Sequence, residues 1–313
     1  MAPVPDPRAR ARIRRRVLDW YAAAGRPLAF RATADPWAIL VSEVMAQQTQ
    51  AARAAAAWTG FIAAYPTPAA LAAAPPAEVL RAWRGLGYNR RAIALQRTAS
   101  AIVHDHAGVV PRDLDDLQGL PGVGPYTARA VAALAFGRRV GAVDTNVRRV
   151  LGRAFFGGTA DAAGGRSAGA LQVLADELAP PRRPSLWTHA LMDIGATLCR
   201  VRAPRCAACP LRPWCAWAAS SQPDDADRTL VRAVTPRAPF ARPTRGFETT
   251  SRWLRGRILD RLRDLDDGTW MRFGEAIGTH DAAAVARALG ALERDGLVEL
   301  RRATVPEARL PHP

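Results

Sequence analysis

The stretch CRVRAPRCAACPLRPWC, residues 199–215, contains all four cysteines of this 313-residue chain. They are spaced C-x6-C-x2-C-x5-C, and the residues are Cys199, Cys206, Cys209 and Cys215. The arginines and prolines between them make the segment too polar to bury four thiols as hydrophobic side chains. The N-terminal segment is basic without an apolar core, so we expect an intracellular chain with reduced thiols rather than two disulfides. The spacing therefore predicts a site of four thiolates, which suits either zinc or an iron–sulfur cluster.

A second motif, LPGVG at Leu120–Gly124, precedes an alanine-rich helical pattern. Gly122 and Gly124 follow Pro121 and predict a tight turn. Residues with side chains would adopt the backbone conformation of this turn only with strain. The helix that begins after the turn would present unpaired backbone N–H groups, which are natural partners for a phosphate. For an isolated pattern of this kind, an ordinary helix–helix connection is the alternative.

The composition favours a polyanionic partner. The formal net charge is +16 and the pI is about 11.3, as is typical of nucleic-acid-binding domains. All 44 basic residues are arginines, and the chain contains no lysine. We expect no membrane span, because no run of about eighteen apolar residues occurs.

Residues 36–50 read PWAILVSEVMAQQTQ and predict an amphipathic helix with a single acid, Glu43, among apolar residues. A carboxyl group in apolar surroundings has a raised pKa and can serve as a general acid. Taken alone, the pattern also fits a glutamate on the solvent face of a helix.

Together these motifs resemble the endonuclease III superfamily of DNA glycosylases. The cysteine spacing is similar to its [4Fe-4S] loop, and ALMDIGATLC looks like the helix that leads into that loop. LPGVG followed by Asp144 resembles its helix-hairpin-helix motif. The resemblance covers residues 8–217 and implies a mainly α fold with two lobes, a six-helix barrel and a lobe that carries the cluster, with the active site in the cleft between them.

SEVMAQQTQ at residues 42–50 is similar to the signature of the A/G-specific adenine glycosylases, the MutY family. This resemblance implies a base excision repair enzyme that removes adenine opposite 8-oxoguanine or guanine in duplex DNA. Glu43 then matches the acid that protonates adenine, and Asp144 matches the carboxylate that stabilises the sugar cation. Two carboxyl groups with opposed protonation states are what hydrolysis of a glycosidic bond requires. The base must first leave the stack, since neither group can reach it in a duplex.

The resemblance also implies the neighbours of these two acids. Tyr126 and Asn146 match polar residues beside Asp144, Gln48 matches a residue that wedges into the duplex, and Tyr88 matches an aromatic that stacks next to the opposing purine. The implied substrate- and DNA-binding set is Arg31, Trp37, Gln48, Thr49, Leu86, Tyr88, Gly122, Val123 and Gly124.

Two departures from the family bear on the chemistry. Bifunctional members form a Schiff base through a lysine two residues after the last hairpin glycine, and Tyr126 stands there in this chain. We therefore expect a monofunctional glycosylase without lyase activity. His189 stands where many relatives carry Glu or Gln, which leaves the contacts with adenine there open. The alternatives are a mismatch thymine or uracil glycosylase and a non-catalytic, cluster-bearing DNA-binding protein.

The chain is expected to divide into five segments. They are 1–34, the N-terminal part of the cluster lobe; 35–140, the barrel with the hairpin; 141–219, the cluster lobe; 220–246, a linker; and 247–313, a C-terminal module. Prolines and scattered arginines indicate the linker. The C-terminal module is too short for the Nudix-like domain that the family usually carries.

The C-terminal module instead resembles a winged helix. We expect helices at Ser251–Asp264, near Phe273–Ile277 and after a cap at Asp281, followed by the strand LVELRR. Such a module fits DNA binding and a packing or protein-interaction role equally well. If it binds DNA, its arginines should contact phosphates, namely Arg252, Arg255, Arg257, Arg301 and Arg302. We expect the protein to act as a monomer in the cytoplasm, associated with the nucleoid.

Overall fold

The computed structural model describes residues 4–158, 166–220 and 246–312. The expected linker at 220–246 lies almost entirely outside these residues. The mainly helical fold expected from the sequence is confirmed, since strands occur only in the C-terminal module within the described residues. None of the helices in these ranges is both long enough and apolar enough to cross a membrane.

The helices of the described residues follow one another along the chain with short connections. They are α1 (Pro7–Ala24), α2 (Pro36–Ala46), α3 (Ala51–Ala64), α4 (Pro68–Ala73), α5 (Pro76–Ala82), α6 (Arg90–Asp105), α7 (Leu114–Gly119), α8 (Pro125–Leu134), α9 (Thr145–Phe156), α10 (Arg166–Leu178), α11 (Pro184–Asp193), α12 (Ala216–Ser220), α13 (Ser251–Arg263) and α14 (Ala282–Arg294). A five-residue π-helix, Ile194–Leu198, continues α11 directly.

The chain forms two units. The first consists of the described residues of Met1–Ile39, Arg112–Gln118 and Val123–Pro239. The second consists of the described residues of Leu40–Pro111, Gly119–Gly122 and Phe240–Pro313.

Several helices begin where the sequence provides a capping side chain. Asp6, Thr67, Asp144, Thr250 and Asp281 each accept a hydrogen bond from a backbone N–H in the first turn of the helix that follows. Such a cap satisfies one of the N–H groups that a helix leaves unpaired. The cap predicted at Asp281 is confirmed.

The core of the first unit is built from α1, α9, α10 and α11. Ile13 and Val17 of α1 pack with Val150, Leu174 and Trp187, and all five side chains are buried. Because α1 precedes the other three helices by more than one hundred residues, this core ties the N-terminal segment to the region that carries the cysteines.

The C-terminal module belongs to the second unit and combines two α-helices with a small sheet. Strands β1 (Met271–Arg272), β2 (Glu299–Arg301) and β3 (Glu307–Arg309) form an antiparallel sheet in the order β1-β3-β2. Val285, Leu289 and Leu292 give α14 a buried apolar face, and α14 packs on α13.

The short helix expected near Phe273–Ile277 is wrong. Phe273 donates its backbone N–H to Pro306 O at 2.9 Å, which extends the pairing of β1 with the chain before β3. Ile277 pairs with His280 around a turn in which Gly278 has a φ of 60°. Backbone pairing to a distant strand therefore replaces the local helix that the apolar spacing favoured.

Candidate functional site

Glu43 lies on α2 in the second unit and is 7% exposed. Its neighbours Leu40, Val41, Val44 and Met45 are buried as well. The carboxyl group is thus held away from bulk water, and the alternative of a glutamate on the solvent face is excluded.

Asp144 lies in the first unit as the N-cap of α9. Its Oδ1 accepts from the backbone N–H of Val147 at 2.6 Å, and its Oδ2 accepts from Asn146 Nδ2 at 2.9 Å. These donors orient the carboxylate, and the helix N-terminus suits its negative charge. The sequence-predicted pair of Asp144 and Asn146 is therefore in direct contact.

Arg149 connects this pair to the first cysteine. Its Nη2 donates to Asn146 Oδ1 at 2.9 Å and to Gly195 O at 2.7 Å, while its Nε donates to Cys199 O at 2.6 Å. A Cβ on Gly195 would lie 2.5 Å from the Cβ of Asn146, so only glycine permits this approach. A continuous run of hydrogen bonds thus joins Asp144 to the start of the cysteine loop.

The four cysteines line one pocket in the first unit. They lie on the loop between the π-helix and α12, whose backbone is shaped by the short helical turns Cys206–Ala208 and Arg212–Trp214. Among the described residues, no group of three or more His, Cys, Asp or Glu side chains is placed to hold a single metal ion.

Arg153 gives this cavity a buried positive charge. It is 2% exposed, and its Nη1 donates to Cys199 Sγ at 3.5 Å and to Arg200 O at 2.8 Å. Within the ranges that the structure describes, no carboxylate pairs with Arg153. A buried cation needs a compensating negative charge, which four metal-bound thiolates would supply. Burial raises the pKa of the Cys209 thiol to about 12, a cost that bonding of the thiolate to a metal would offset. The buried charge of Arg153 beside Cys199 fits such a metal–thiolate group.

Arg31 belongs to an ionic cluster in the first unit. Its guanidinium binds the Asp193 carboxylate with both terminal nitrogens, at 2.7 and 2.8 Å, and Arg26 Nε donates to the same carboxylate at 2.6 Å. Burial acts to lower the pKa of Arg31, but the hydrogen bonds and charge of Asp193 outweigh it and raise that pKa. Arg31 therefore has a structural partner that the sequence reading missed.

His189 lies on α11 beside this cluster. Its ring stacks with Tyr21 at a centroid distance of 6.4 Å, and its buried Nδ1 has no hydrogen-bond partner. Burial, together with the positive charge of Arg31, lowers the pKa of His189 to about 3. The imidazole is neutral at physiological pH.

Two turns in the second unit carry residues predicted to bind DNA. Gln48 has a φ of 52° and Tyr88 a φ of 45°, a left-handed conformation that is uncommon for residues with side chains. Tyr88 follows Gly85 and Gly87, whose φ values are 84° and 67°. The glycines let the chain turn sharply enough to leave Tyr88 41% exposed.

Arg91 holds both turns, and the sequence reading missed it. It donates to Val44 O, Met45 O and Gln47 O beside the first turn at 2.6–2.9 Å, and to Leu86 O and Gly87 O beside the second at 3.0 Å. It also donates to Thr49 Oγ1 at 3.0 Å. The available signal was an arginine pair at the start of α6, where the helix dipole disfavours positive charge. Burial lowers the pKa of Arg91 to about 10.

The hairpin glycines differ from one another. Gly122 has a φ of 78°, as predicted, and a Cβ there would lie 3.3 Å from the Cβ of Ala94. Gly124 is extended, with a φ of −85°, so the strain predicted for it is wrong. A Cβ on Gly124 would meet no atom within 4 Å, which leaves open space at the N-terminus of α8.

The predicted site residues are divided between the two units. The first unit contains Arg31, Trp37, Val123, Gly124, Tyr126, Asp144, Asn146 and the four cysteines. The second unit contains Glu43, Gln48, Thr49, Leu86, Tyr88 and Gly122.

Comparisons with known proteins agree on one family. The model of the HhH-GPD superfamily base excision DNA repair protein matches residues 41–166. An adenine DNA glycosylase of Mycolicibacterium smegmatis is 42% identical over 284 residues, which cover 90% of this chain and 91% of the relative. At that coverage, the match extends into the C-terminal module.

Solved structures resemble about two thirds of the chain. A thermostable thymine-DNA glycosylase has a TM-score of 0.63 and 30% identity, covering 68% of this chain and 98% of its own. A trapped covalent intermediate of endonuclease III with DNA, an estranged-adenine complex, has a TM-score of 0.56 and 26% identity, covering 69% and 98%.

Proposed function

This chain belongs to the HhH-GPD superfamily and, within it, to the adenine DNA glycosylases, and we propose that it removes adenine opposite 8-oxoguanine or guanine in duplex DNA. The observation that carries the proposal is the contrast between two carboxyl groups. Glu43 is buried among apolar side chains, whereas Asp144 accepts hydrogen bonds at a helix N-terminus. A buried acid and a carboxylate that is held in place by donors are the pair of groups that hydrolysis of a glycosidic bond uses.

In the proposed reaction, Glu43 protonates the flipped adenine, because a neutral purine leaves more readily than its anion. As the glycosidic bond breaks, positive charge develops on the sugar, and the Asp144 carboxylate stabilises it. Asn146 and Arg149 keep that carboxylate in place through their hydrogen bonds. Water completes the hydrolysis at C1′, which leaves an abasic site in an uncut strand.

We also propose that the enzyme lacks a lyase step. A lyase of this superfamily would form an imine with the sugar, which requires an amine. The phenol of Tyr126 cannot form one, and the chain contains no lysine. The uncut abasic strand should therefore be the final product.

Contacts with DNA are proposed at three places. The N-terminus of α8 after Gly124 has room for a phosphate, and the helix dipole favours negative charge there. The turns that carry Gln48 and Tyr88 suit insertion into the base stack, because a rigid exposed side chain loses little conformational entropy on binding. We propose a monomer that works on duplex DNA in the cytoplasm.

For the cofactor, we propose a [4Fe-4S] cluster held by Cys199, Cys206, Cys209 and Cys215. The cavity that these residues line and the buried charge of Arg153 support it. When bound, the cluster would cross-link the loop and fix its fold. Purified protein should contain about four irons per chain and no stoichiometric zinc, and the reverse would contradict the proposal.

The proposed chemistry can be tested with Glu43→Gln and Asp144→Asn. Each variant should bind a duplex with an adenine–guanine mispair but release adenine about 100- to 10,000-fold more slowly in single turnover. Asparagine is as good a helix cap as aspartate, so Asp144→Asn should fold. Glu78→Gln, at an exposed position on α5, is the matched control and should act like the wild type.

The same assay separates the alternatives. Strands should break only after alkali or heat, and borohydride should trap little protein on DNA. Release of thymine or uracil instead of adenine would identify a mismatch glycosylase. Binding without release of any base by the wild type would identify a non-catalytic protein.

A further inference from the structure

The C-terminal module meets the Tyr88 turn directly, inside the second unit. Arg252, in the first turn of α13, places its guanidinium 4.1 Å from the centre of the Tyr88 ring and donates from Nη1 to Tyr88 Oη at 2.9 Å. Phe247, just before α13, lies 6.0 Å from the same guanidinium and is 60% exposed. Two exposed aromatic rings and an arginine thus form one surface.

The far end of α13 anchors the module to the segment that precedes Tyr88. Arg263 is 6% exposed, and it donates to Leu80 O at 2.9 Å and to Asn89 Oδ1 at 2.7 Å. Two ion pairs add to this contact, Arg81 with Asp267 and Arg84 with Asp264, each at 2.6 Å. The position of Arg252 over Tyr88 is therefore set by the packing of the whole helix.

Arg252 differs from the other arginines that were expected to contact phosphates. Arg255 pairs with Asp295, Arg257 with Asp260, Arg301 with Glu307 and Arg302 with Glu293. Of the five, which all lie in the described part of the chain, Arg252 alone has no carboxylate partner. Arg252 is exposed, and among the described residues it donates only to the Tyr88 hydroxyl, so its other donors are available to a ligand.

We propose that Arg252, Phe247 and Tyr88 form a reading surface for the purine opposite the adenine. This inference rests on the proposed function, in which Tyr88 stacks beside that purine. Aromatic rings and guanidinium planes are the groups on which bases stack, and α13 presents both at the Tyr88 turn. The C-terminal module thus packs against the segment around Tyr88, and this packing places Arg252 and Phe247 where they set specificity.

The chemistry of the guanidinium defines what it reads. Arginine can only donate hydrogen bonds, and it recognises guanine through acceptors such as O6. Guanine and 8-oxoguanine both carry O6, whereas 2-aminopurine lacks it. Arg252 should therefore favour an opposing purine with O6 over 2-aminopurine.

The test measures binding of the full chain to duplexes in which 2′-fluoro-2′-deoxyadenosine, which resists hydrolysis, faces guanine, 8-oxoguanine or 2-aminopurine. The wild type should bind the two O6 purines about tenfold more tightly than 2-aminopurine. Arg252→Ala should abolish most of that preference, and Arg252→Lys should restore little of it, because lysine lacks the planar fork. Phe247→Ala should weaken binding about tenfold to all three duplexes, since it removes stacking alone.

Arg261→Ala is the control, since Arg261 lies at an exposed position on the same helix. It should leave the preference unchanged. A uniform loss of affinity in Arg252→Ala, with a salt dependence lower by about 0.9, would mean a phosphate contact and would overturn the proposal. If Arg252→Ala does not fold, the test uses the ratio of affinities for the O6 purines and for 2-aminopurine in the other two variants. The proposal requires that ratio to fall in Arg252→Lys and to keep its wild-type value in Phe247→Ala. Because the analogue is not cleaved, failure to read the opposing base is distinct from failure to release adenine.

Discussion

Two largely buried arginines organise the two units in different ways. In the first unit, Arg31 binds the Asp193 carboxylate, whose side chain is fully buried. In the second unit, Arg91 binds backbone carbonyls and one hydroxyl, and within the described ranges it forms no ion pair. The effect on the guanidinium is opposite, because the pKa of Arg31 is raised and that of Arg91 is lowered to about 10.

The difference shows what each arginine contributes. A buried ion pair makes each partner depend on the other, because either charge alone would be left without compensation. The backbone carbonyls that bind Arg91 are neutral, so losing the arginine leaves no buried charge without compensation. Their positions are set by the path of the chain through the two turns, which the hydrogen bonds to Arg91 hold in place. Arg31 should therefore matter most for stability, and Arg91 should matter most for the geometry of the turns that carry Gln48 and Tyr88.

The largest effect is expected from Asp193→Asn, which leaves the cations of Arg31 and Arg26 without their carboxylate. We expect a loss of about 3 kcal/mol in the free energy of unfolding, at the lower end for a broken buried pair because the amide oxygen still accepts a hydrogen bond. Urea unfolding at neutral pH measures it. The control is Asp113→Asn, which breaks the more exposed pair with Arg138 and should cost less than about 1 kcal/mol. If Asp193→Asn and Asp113→Asn lose the same free energy of unfolding, the buried ion pair contributes no more to stability than the exposed one.

Arg91→Lys should have a smaller effect on stability and a larger one on DNA binding. Lysine keeps the charge but has three donors in place of five and cannot span both turns. We expect a loss of about 2 kcal/mol in unfolding free energy and weaker binding of mispaired duplex. Arg90→Lys, at the neighbouring exposed position, is the control. Unchanged DNA affinity in Arg91→Lys would show that the turns keep their shape without this arginine.

How much of this the sequence could predict depends on how far apart the interacting residues lie. The cap at Asp281 follows from a local pattern and is correct, whereas the local pattern around Glu43 fits both a buried and a solvent-facing side chain. The contacts of Arg91, Arg149 and Arg252 do not follow from the sequence, because their partners lie 47, 50 and 164 residues away, at Val44, Cys199 and Tyr88. The guanidinium of a long, flexible arginine side chain can lie far from its own Cα. No periodic pattern in the sequence indicates its position.

The incorrect helix expectation has the same cause. The apolar spacing of residues 273–277 favours a helix, but Phe273 pairs with Pro306, which lies far along the chain. Four of the five arginines that are expected to contact phosphates if the C-terminal module binds DNA also pair with carboxylates. Composition showed the excess of positive charge, but not which of these charges already had partners.

The smallest expected effect concerns pH and sharpens the account of the Arg31 site. His189 lies beside Arg31, and its pKa is about 3 in the folded protein against about 6.5 in an unfolded chain. Between these values the unfolded chain binds a proton that the folded protein does not, so stability falls as pH drops below about 6.5. At pH 5.5 the resulting loss in the free energy of unfolding is about 1.4 kcal/mol.

His189→Gln should not show this part of the loss when urea unfolding is compared at pH 7 and pH 5.5. The comparison holds even if the substitution itself changes the stability at pH 7. His104→Gln, at an exposed position on α6, controls for the loss of one imidazole. If the pH profile of His189→Gln matches the wild type, the folded protein accommodates an imidazolium beside Arg31, and the cluster around Asp193 tolerates added charge.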